Sequence, residues 1–233
     1  MHATSQADAA PREIFGQPRG LATLFLTEMW ERFSYYGMRS ILILYAVGAV
    51  SGGGFGFDDR VASAIYGLYI AGTYVFALFG GWMADRLLGA QRAVLIGGIL
   101  IMCGNALLVV GRLDFFFLGL TVIVLGVGLL KPNISVMVAE LYPEGGSRRD
   151  AGFSVFYVGI SVGALPGSIL VPLAAARFGW RFGFVLPVAG MMLGLGQFLL
   201  TRRWLGQAGR TVHRREGGAG WMPVIVFAAA MTA

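Results

Sequence analysis

Long apolar stretches alternate with short polar ones along nearly the whole chain. A helix that crosses a bilayer needs about 20 mostly apolar residues. Six stretches qualify: Leu21–Val50, Val61–Met83, Ala93–Val110, Phe115–Ala139, Phe153–Ala176 and Phe182–Leu200. A seventh apolar run opens at Trp221 and continues to Ala233. Residues 1–20 are polar and contain proline, without the short apolar core and small-residue cleavage site of a signal peptide, so the first run reads as an uncleaved span. The pattern predicts an all-α membrane protein with an N-terminal tail (1–20), a six-helix bundle (21–200), a basic linker (201–220) and the start of a further membrane helix (221–233).

Composition supports the same class. Hydrophobic residues make up 57%, charged residues 13%, and mean hydropathy is +0.72. A soluble domain has about 45–50% apolar and about 25% charged residues. That balance excludes a soluble enzyme, a disordered chain and a nucleic-acid-binding module. Cys103 is the single cysteine and forms no intrachain disulfide. His2 and His213 have no metal-ligand partners nearby, and no nucleophile–histidine–acid pattern is present, so neither an enzyme nor a cofactor is expected. Gly126-Val127-Gly128 lies inside an apolar span and reads as helix packing, not as a nucleotide fingerprint.

The net charge of +6 acquires a meaning from its location. Of 18 basic residues, 11 lie in the tail and in the loops after spans two, four and six: Arg12, Arg19, Arg86, Arg92, Arg148, Arg149, Arg202, Arg203, Arg210, Arg214 and Arg215. Only Arg60, Arg112, Arg177 and Arg181 lie on the other side. The positive-inside rule then places the N-terminus and the even-numbered loops in the cytoplasm. Trp82, Trp180, Trp204 and Trp221 fall near predicted span ends, as an aromatic belt requires, and Trp30 does not. The glycines at 52–54 read as a flexible external loop.

Five charges remain inside spans: Glu28, Glu31, Arg32, Arg39 and Lys131. Each costs at least about 2.5–3.5 kcal/mol at the centre of a membrane helix, so together they call for a function. At 100° per residue, Arg32, Tyr35 and Arg39 fall within about 40° of Glu28, and Glu31 about 60° away, which makes one polar stripe along span one. Such a stripe must face a bundle interior or a water-filled cavity. Lys131 is the only lysine beside 17 arginines, and a lysine, unlike an arginine, loses its proton readily on burial. Lys131 and Glu28 each lie about eight residues, roughly 12 Å, from the cytoplasmic ends of their spans. A titratable amine opposite two carboxylates at one depth is what a proton relay needs, with a static ion pair as the alternative. Pro132 should bend or loosen its helix, and Asp85 in the Gly80–Arg92 loop should cap a helix or pair with an arginine. Charges on spans one and four fit a three-helix unit repeated in inverted topology.

Glu28-Met29-Trp30-Glu31-Arg32-Phe33-Ser34-Tyr35-Tyr36-Gly37 resembles the ExxER(F/Y)xYYG signature of the proton-dependent oligopeptide transporter family. Gly81 to Arg92 resembles the loop motif of the wider major facilitator superfamily, Leu129-Leu130-Lys131-Pro132-Asn133 the family's Phe-Leu-Lys-Pro-Asn, and Asp150 to Tyr157 the start of its second signature. The resemblance covers residues 20–200. It implies the N-terminal six-helix bundle of the major facilitator fold, a 3+3 inverted repeat, in a protein that moves di- and tripeptides with protons across the cytoplasmic (inner) membrane. Protons are then the coupling ion, Glu28, Glu31, Arg32 and Lys131 carry the coupling, and Arg32, Tyr35, Tyr36, Arg39, Tyr74, Lys131 and Ser161 line the peptide site. Ser161 stands where the family has an asparagine. Family members have about twelve helices, so a C-terminal six-helix half is the expected partner, beside substrate, protons and lipid, with no nucleic acid. The same charges admit a transporter of nitrate or a carboxylated metabolite, and a non-transporting scaffold is the reading from another class.

Overall fold

The computed structural model describes residues 13, 14 and 16–210, so the seventh apolar run lies outside the described residues. Six long helices follow one another: α1 (Arg19–Val47), α2 (Asp59–Met83), α3 (Ala90–Val109), α4 (Leu113–Glu140), α5 (Gly146–Phe178) and α6 (Trp180–Thr201). All six expected spans are helices, with shifted ends. The largest shift is in α5, which starts seven residues before Phe153, so that Arg148 and Arg149 sit in its first turn and not in a loop.

Local chemistry explains several boundaries. Asp58 caps α2, its carboxylate accepting the Arg60 N–H at 2.8 Å. The expected loop after α2 scarcely exists, because a π-helical turn (Ala84–Leu88) carries the helix on to Gly89. Gly89, with φ of 77°, is the single residue between that turn and α3, and Gly179, with φ of 91°, is the single residue between α5 and α6. Both reversals use the left-handed backbone that glycine adopts without strain. Among the described residues Asp85 neither caps α3 nor pairs with an arginine, since the π turn keeps it one turn away from the helix start. The segment after α1 is also more ordered than a flexible loop. Phe55, Gly56 and Phe57 donate their N–H groups back to Tyr45, Gly48 and Ala46, and Phe55 packs on Tyr45 with ring centroids 4.9 Å apart.

At the opposite end, a two-residue β-hairpin (Glu13–Ile14 with Gln17–Pro18) belongs to the bundle. Arg148 pairs with Glu13 and donates to the Gly16 carbonyl, and the Tyr142 hydroxyl donates to Gln17 Oε1 at 2.6 Å.

Packing reveals the symmetry. The extensive pairs are α1 with α5 and α6, α4 with α2 and α3, α3 with α6, and α5 with α6. Exchanging α1 with α4, α2 with α5 and α3 with α6 carries all of these except α5–α6 onto a pair of the same set. The sparse contacts obey the same exchange, α1–α2 becoming α4–α5. Three spans separate exchanged helices, so they run in opposite directions: a 3+3 inverted repeat. The equivalent seams are equally tight. A Cβ on Gly163 of α5 would collide with the Met29 carbonyl of α1, and one on Gly80 of α2 with the Gly128 carbonyl of α4. Small residues let backbones approach where lipid offers no hydrophobic drive between helices. α4 runs unbroken through Pro132, and Asn133 ties it to α2 by donating to the Gly80 carbonyl at 3.2 Å.

α2 to α6 are each long and apolar enough to cross a membrane, which makes the chain multi-pass. α1 is long enough but not apolar enough, because Glu28, Glu31, Arg32 and Arg39 interrupt it. It lies in the bundle all the same, its polar stripe turned inward, with Trp30 packed on Phe33 (5.9 Å between centroids) rather than at a membrane boundary. Trp82, Trp180 and Trp204 stand at helix ends.

Candidate functional site

The polar stripe of α1 faces α2 and α4, two helices that pack closely on each other but touch α1 only sparsely. Glu28, Glu31 and Arg32 are 3%, 0% and 5% exposed. Arg32 Nε lies 2.8 Å from Glu28 Oε1 and 2.6 Å from Glu31 Oε2, the first an (i, i+4) pair. These are charge contacts without aligned hydrogen bonds. Glu28 Oε2, both Glu31 oxygens and Arg32 Nε and Nη2 have no hydrogen-bond partner among the described residues. One guanidinium thus faces two buried carboxylates, offsets the charge of only one of them and leaves acceptor capacity on both unfilled. A proton on either acid, or an anion competing for the arginine, would alter that balance.

The next turns of α1 continue the site. The Arg32 guanidinium lies 5.3 Å from the centre of the Tyr35 ring, and Tyr35 meets Tyr36 edge-on at 5.2 Å. Arg39, exposed, stacks on Tyr66 of α2 at 5.4 Å and donates to its hydroxyl. Across the gap, the exposed Lys131 ammonium of α4 sits 5.0 Å from the centre of the Tyr74 ring on α2, close enough to Glu31 for a Coulombic interaction. The structure therefore brings Glu28, Glu31, Arg32, Tyr35, Tyr36, Arg39, Lys131 and Tyr74 to one gap.

Ser161 is the exception. It is exposed on α5, about opposite the Phe156, Gly159, Gly163 and Gly167 face that packs on α1, and no hydrogen bond joins it to the cluster. The sequence reading missed Tyr66 and Tyr69. Tyr69 is 3% exposed, its hydroxyl has no hydrogen-bond partner among the described residues, and it lies within electrostatic reach of Glu31 and Arg32. The signal was present in α2, where Tyr66, Tyr69 and Tyr74 put hydroxyls at helical spacing along an apolar span. Among the described residues, no group of three or more His, Cys, Asp or Glu side chains could hold a metal ion.

The chain is 48% identical over 187 residues to a di-/tripeptide transporter of Lactococcus lactis, covering 79% of this chain and 38% of that protein. It is 40% identical over 237 residues to the peptide transporter YePEPT of Yersinia enterocolitica, covering 96% and 46%. The fold superposes with a TM-score of 0.86 on a crystal structure of the peptide transporter POT in complex with alafosfalin, at 46% identity, over 95% of this chain and 46% of that one. A POT family transporter in complex with 5-aminolevulinic acid gives the same TM-score of 0.86 at 38% identity. The chain spans less than half the length of these relatives. With residues 91–214 matching the POT family and the charged gap between α1, α2 and α4 built as described, the chain belongs to the POT family.

Proposed function

We propose that this bundle is the N-terminal half of a proton-coupled symporter of di- and tripeptides. In this reading it works in a cytoplasmic (inner) membrane with the N-terminus in the cytoplasm, beside a C-terminal six-helix half. The observation that carries the reading is the buried Glu28–Arg32–Glu31 cluster with unfilled acceptors, facing Lys131 across an open gap. Family membership and the relatives named di-/tripeptide transporters support it. Protonation of Glu28 or Glu31 loosens the hold on Arg32 and Lys131, and either cation then attracts the peptide's terminal carboxylate. Loss of the proton restores the internal pairing and releases the peptide. Tyr35, Tyr36, Arg39 and Tyr74 line the substrate side of this exchange, and Ser161, outside the gap on the exposed face of α5, would meet the peptide only from the side of the C-terminal half.

A second reading, a transporter of the same fold for another anion, has one observation in its favour: two arginines and a lysine stand against two glutamates. The experiment separates the two. The full-length protein in proteoliposomes is offered labelled dipeptide, tripeptide, a free carboxylated metabolite or nitrate, with and without an imposed inward proton gradient. Gradient-driven accumulation of peptides alone is the expected result. Accumulation of nitrate or the metabolite without peptides would select the second reading.

A further inference from the structure

The cytoplasmic-side linker closes a second charged site, remote from the α1–α2–α4 gap. After α6 the chain makes a short 3₁₀ turn (Arg202–Leu205) and returns across the bundle end, burying Leu205 and Ala208. Gln91 at the start of α3 holds it by donating its backbone N–H to the Gly209 carbonyl (3.0 Å) and its side-chain amide to the Ala208 carbonyl (2.5 Å). The Gly209 N–H in turn donates to the Glu140 carboxylate at the end of α4, at 2.5 Å. This tethered strap, with α3 and α6, borders an open cavity of about 670 Å³.

Arg92, Arg202, Arg203 and Arg210 all line that cavity, and Leu95 and Phe198 form its apolar floor. Among the described residues, none of the four arginines has an ion pair or hydrogen bond to an acid. The first turn of α3, which opens into the same region, has no capping side chain, and apart from the Gln91 N–H taken by the strap its N–H groups add positive potential. Topology asks only that arginines lie on the cytoplasmic side, as a statistical excess. It does not ask four of them to converge on one cavity from two helix ends and a tethered loop. Guanidinium groups match phosphate oxygens with paired N–H donors, and a volume of this size is that of a ligand site.

We propose that this cavity binds a phosphate group, and that the phosphate is the headgroup of an anionic phospholipid of the cytoplasmic leaflet, its acyl chains running along Leu88 and Leu95. The apolar floor argues for a lipid source over a free phosphate, since a soluble anion has no use for it. Basic pockets between membrane helices on the cytoplasmic side suit such headgroups. The proposal rests on the orientation given above but not on the transported substrate, so the two fail separately.

The test uses the full-length protein in detergent, titrated with phosphatidylglycerol, phosphatidylcholine or inorganic phosphate and read by native mass spectrometry. Phosphatidylglycerol should bind the wild type, and phosphatidylcholine should bind roughly ten-fold or more weakly. Arg92→Gln/Arg203→Gln should lose a comparable factor for phosphatidylglycerol, and Arg112→Gln/Arg177→Gln, at the opposite membrane face, should lose none. Equal binding of the two lipids to the wild type would overturn the proposal, as would unchanged phosphatidylglycerol binding by the cavity variant. Displacement of phosphatidylglycerol by millimolar inorganic phosphate would assign the cavity to a soluble phosphate compound and overturn the lipid source. The wild-type comparison stands even if the cavity variant does not fold.

Discussion

α1 and α4 occupy equivalent positions in the inverted repeat, yet they carry charge in opposite ways. α1 holds a pre-formed cluster, two carboxylates on one guanidinium, all buried. α4 holds one exposed lysine, resting on a tyrosine ring and, among the described residues, in no ion pair with an acid. The difference shows how symmetry of backbone serves asymmetry of chemistry. A buried arginine with two partners is a fixed element, because removing any member strands a charge in a medium that cannot solvate it. A lysine on the open side of the same gap can change partners at little structural expense, and the pair together form an anchored pole and a mobile one.

The largest test of this contrast changes Lys131. Lys131→Arg keeps the charge but removes the ability to give up a proton, and adds a bidentate grip on carboxylates. In the full-length protein it should reduce proton-driven peptide accumulation to the level of empty vesicles, as should Lys131→Ala, while at least one of the two retains peptide counterflow. Normal accumulation by Lys131→Arg would make α4 as static as α1. Thermal unfolding of both variants should stay close to wild type, since an exposed cation on a ring contributes about 0.5–1 kcal/mol.

Arg32→Met attacks the other pole and should behave in the reverse way. It leaves Glu28 and Glu31 buried without a counter-charge, and a loss of about 3–5 kcal/mol is expected in the unfolding of the full-length protein. A loss no larger than that of Lys131→Ala would erase the distinction between the two helices.

The symmetry itself is tested at Gly163 and Gly80. In each, an added methyl meets a carbonyl of the facing helix, and backbone cannot swing aside as a side chain can. Gly163→Ala and Gly80→Ala should therefore each lower stability by about 1–3 kcal/mol, and by similar amounts. A large effect at one seam only would mean that the two repeats are not mechanically equivalent.

The smallest effect is expected at Ser161. Ser161→Asn adds a donor and an acceptor, and peptide affinity should change by about 0.5–1.5 kcal/mol, the net worth of one hydrogen bond. Because Ser161 faces away from the α1 seam, an unchanged affinity for several peptides would remove it from the substrate site.

Much of this molecule was legible in the sequence because a bilayer imposes a length and a polarity on every span. Six helices, their order, the inward stripe of α1 and the isolated Lys131 all follow from where apolar runs break and where charges fall within them, since an unsolvated charge must find a partner or a cavity. Helical periodicity was enough to align Glu28, Arg32 and Tyr35 before any neighbouring helix was known. Contacts between segments distant in sequence carry no such local signal. Only the tertiary structure decided that both Glu28 and Glu31 converge on the one Arg32, that Tyr66 and Tyr74 of α2 serve as platforms for Arg39 and Lys131, and that Ser161 faces away from the cluster. It also decided that residues 205–210 fold back on Gln91 and Glu140, because that docking depends on the meeting of three helix ends and on no pattern within any one of them.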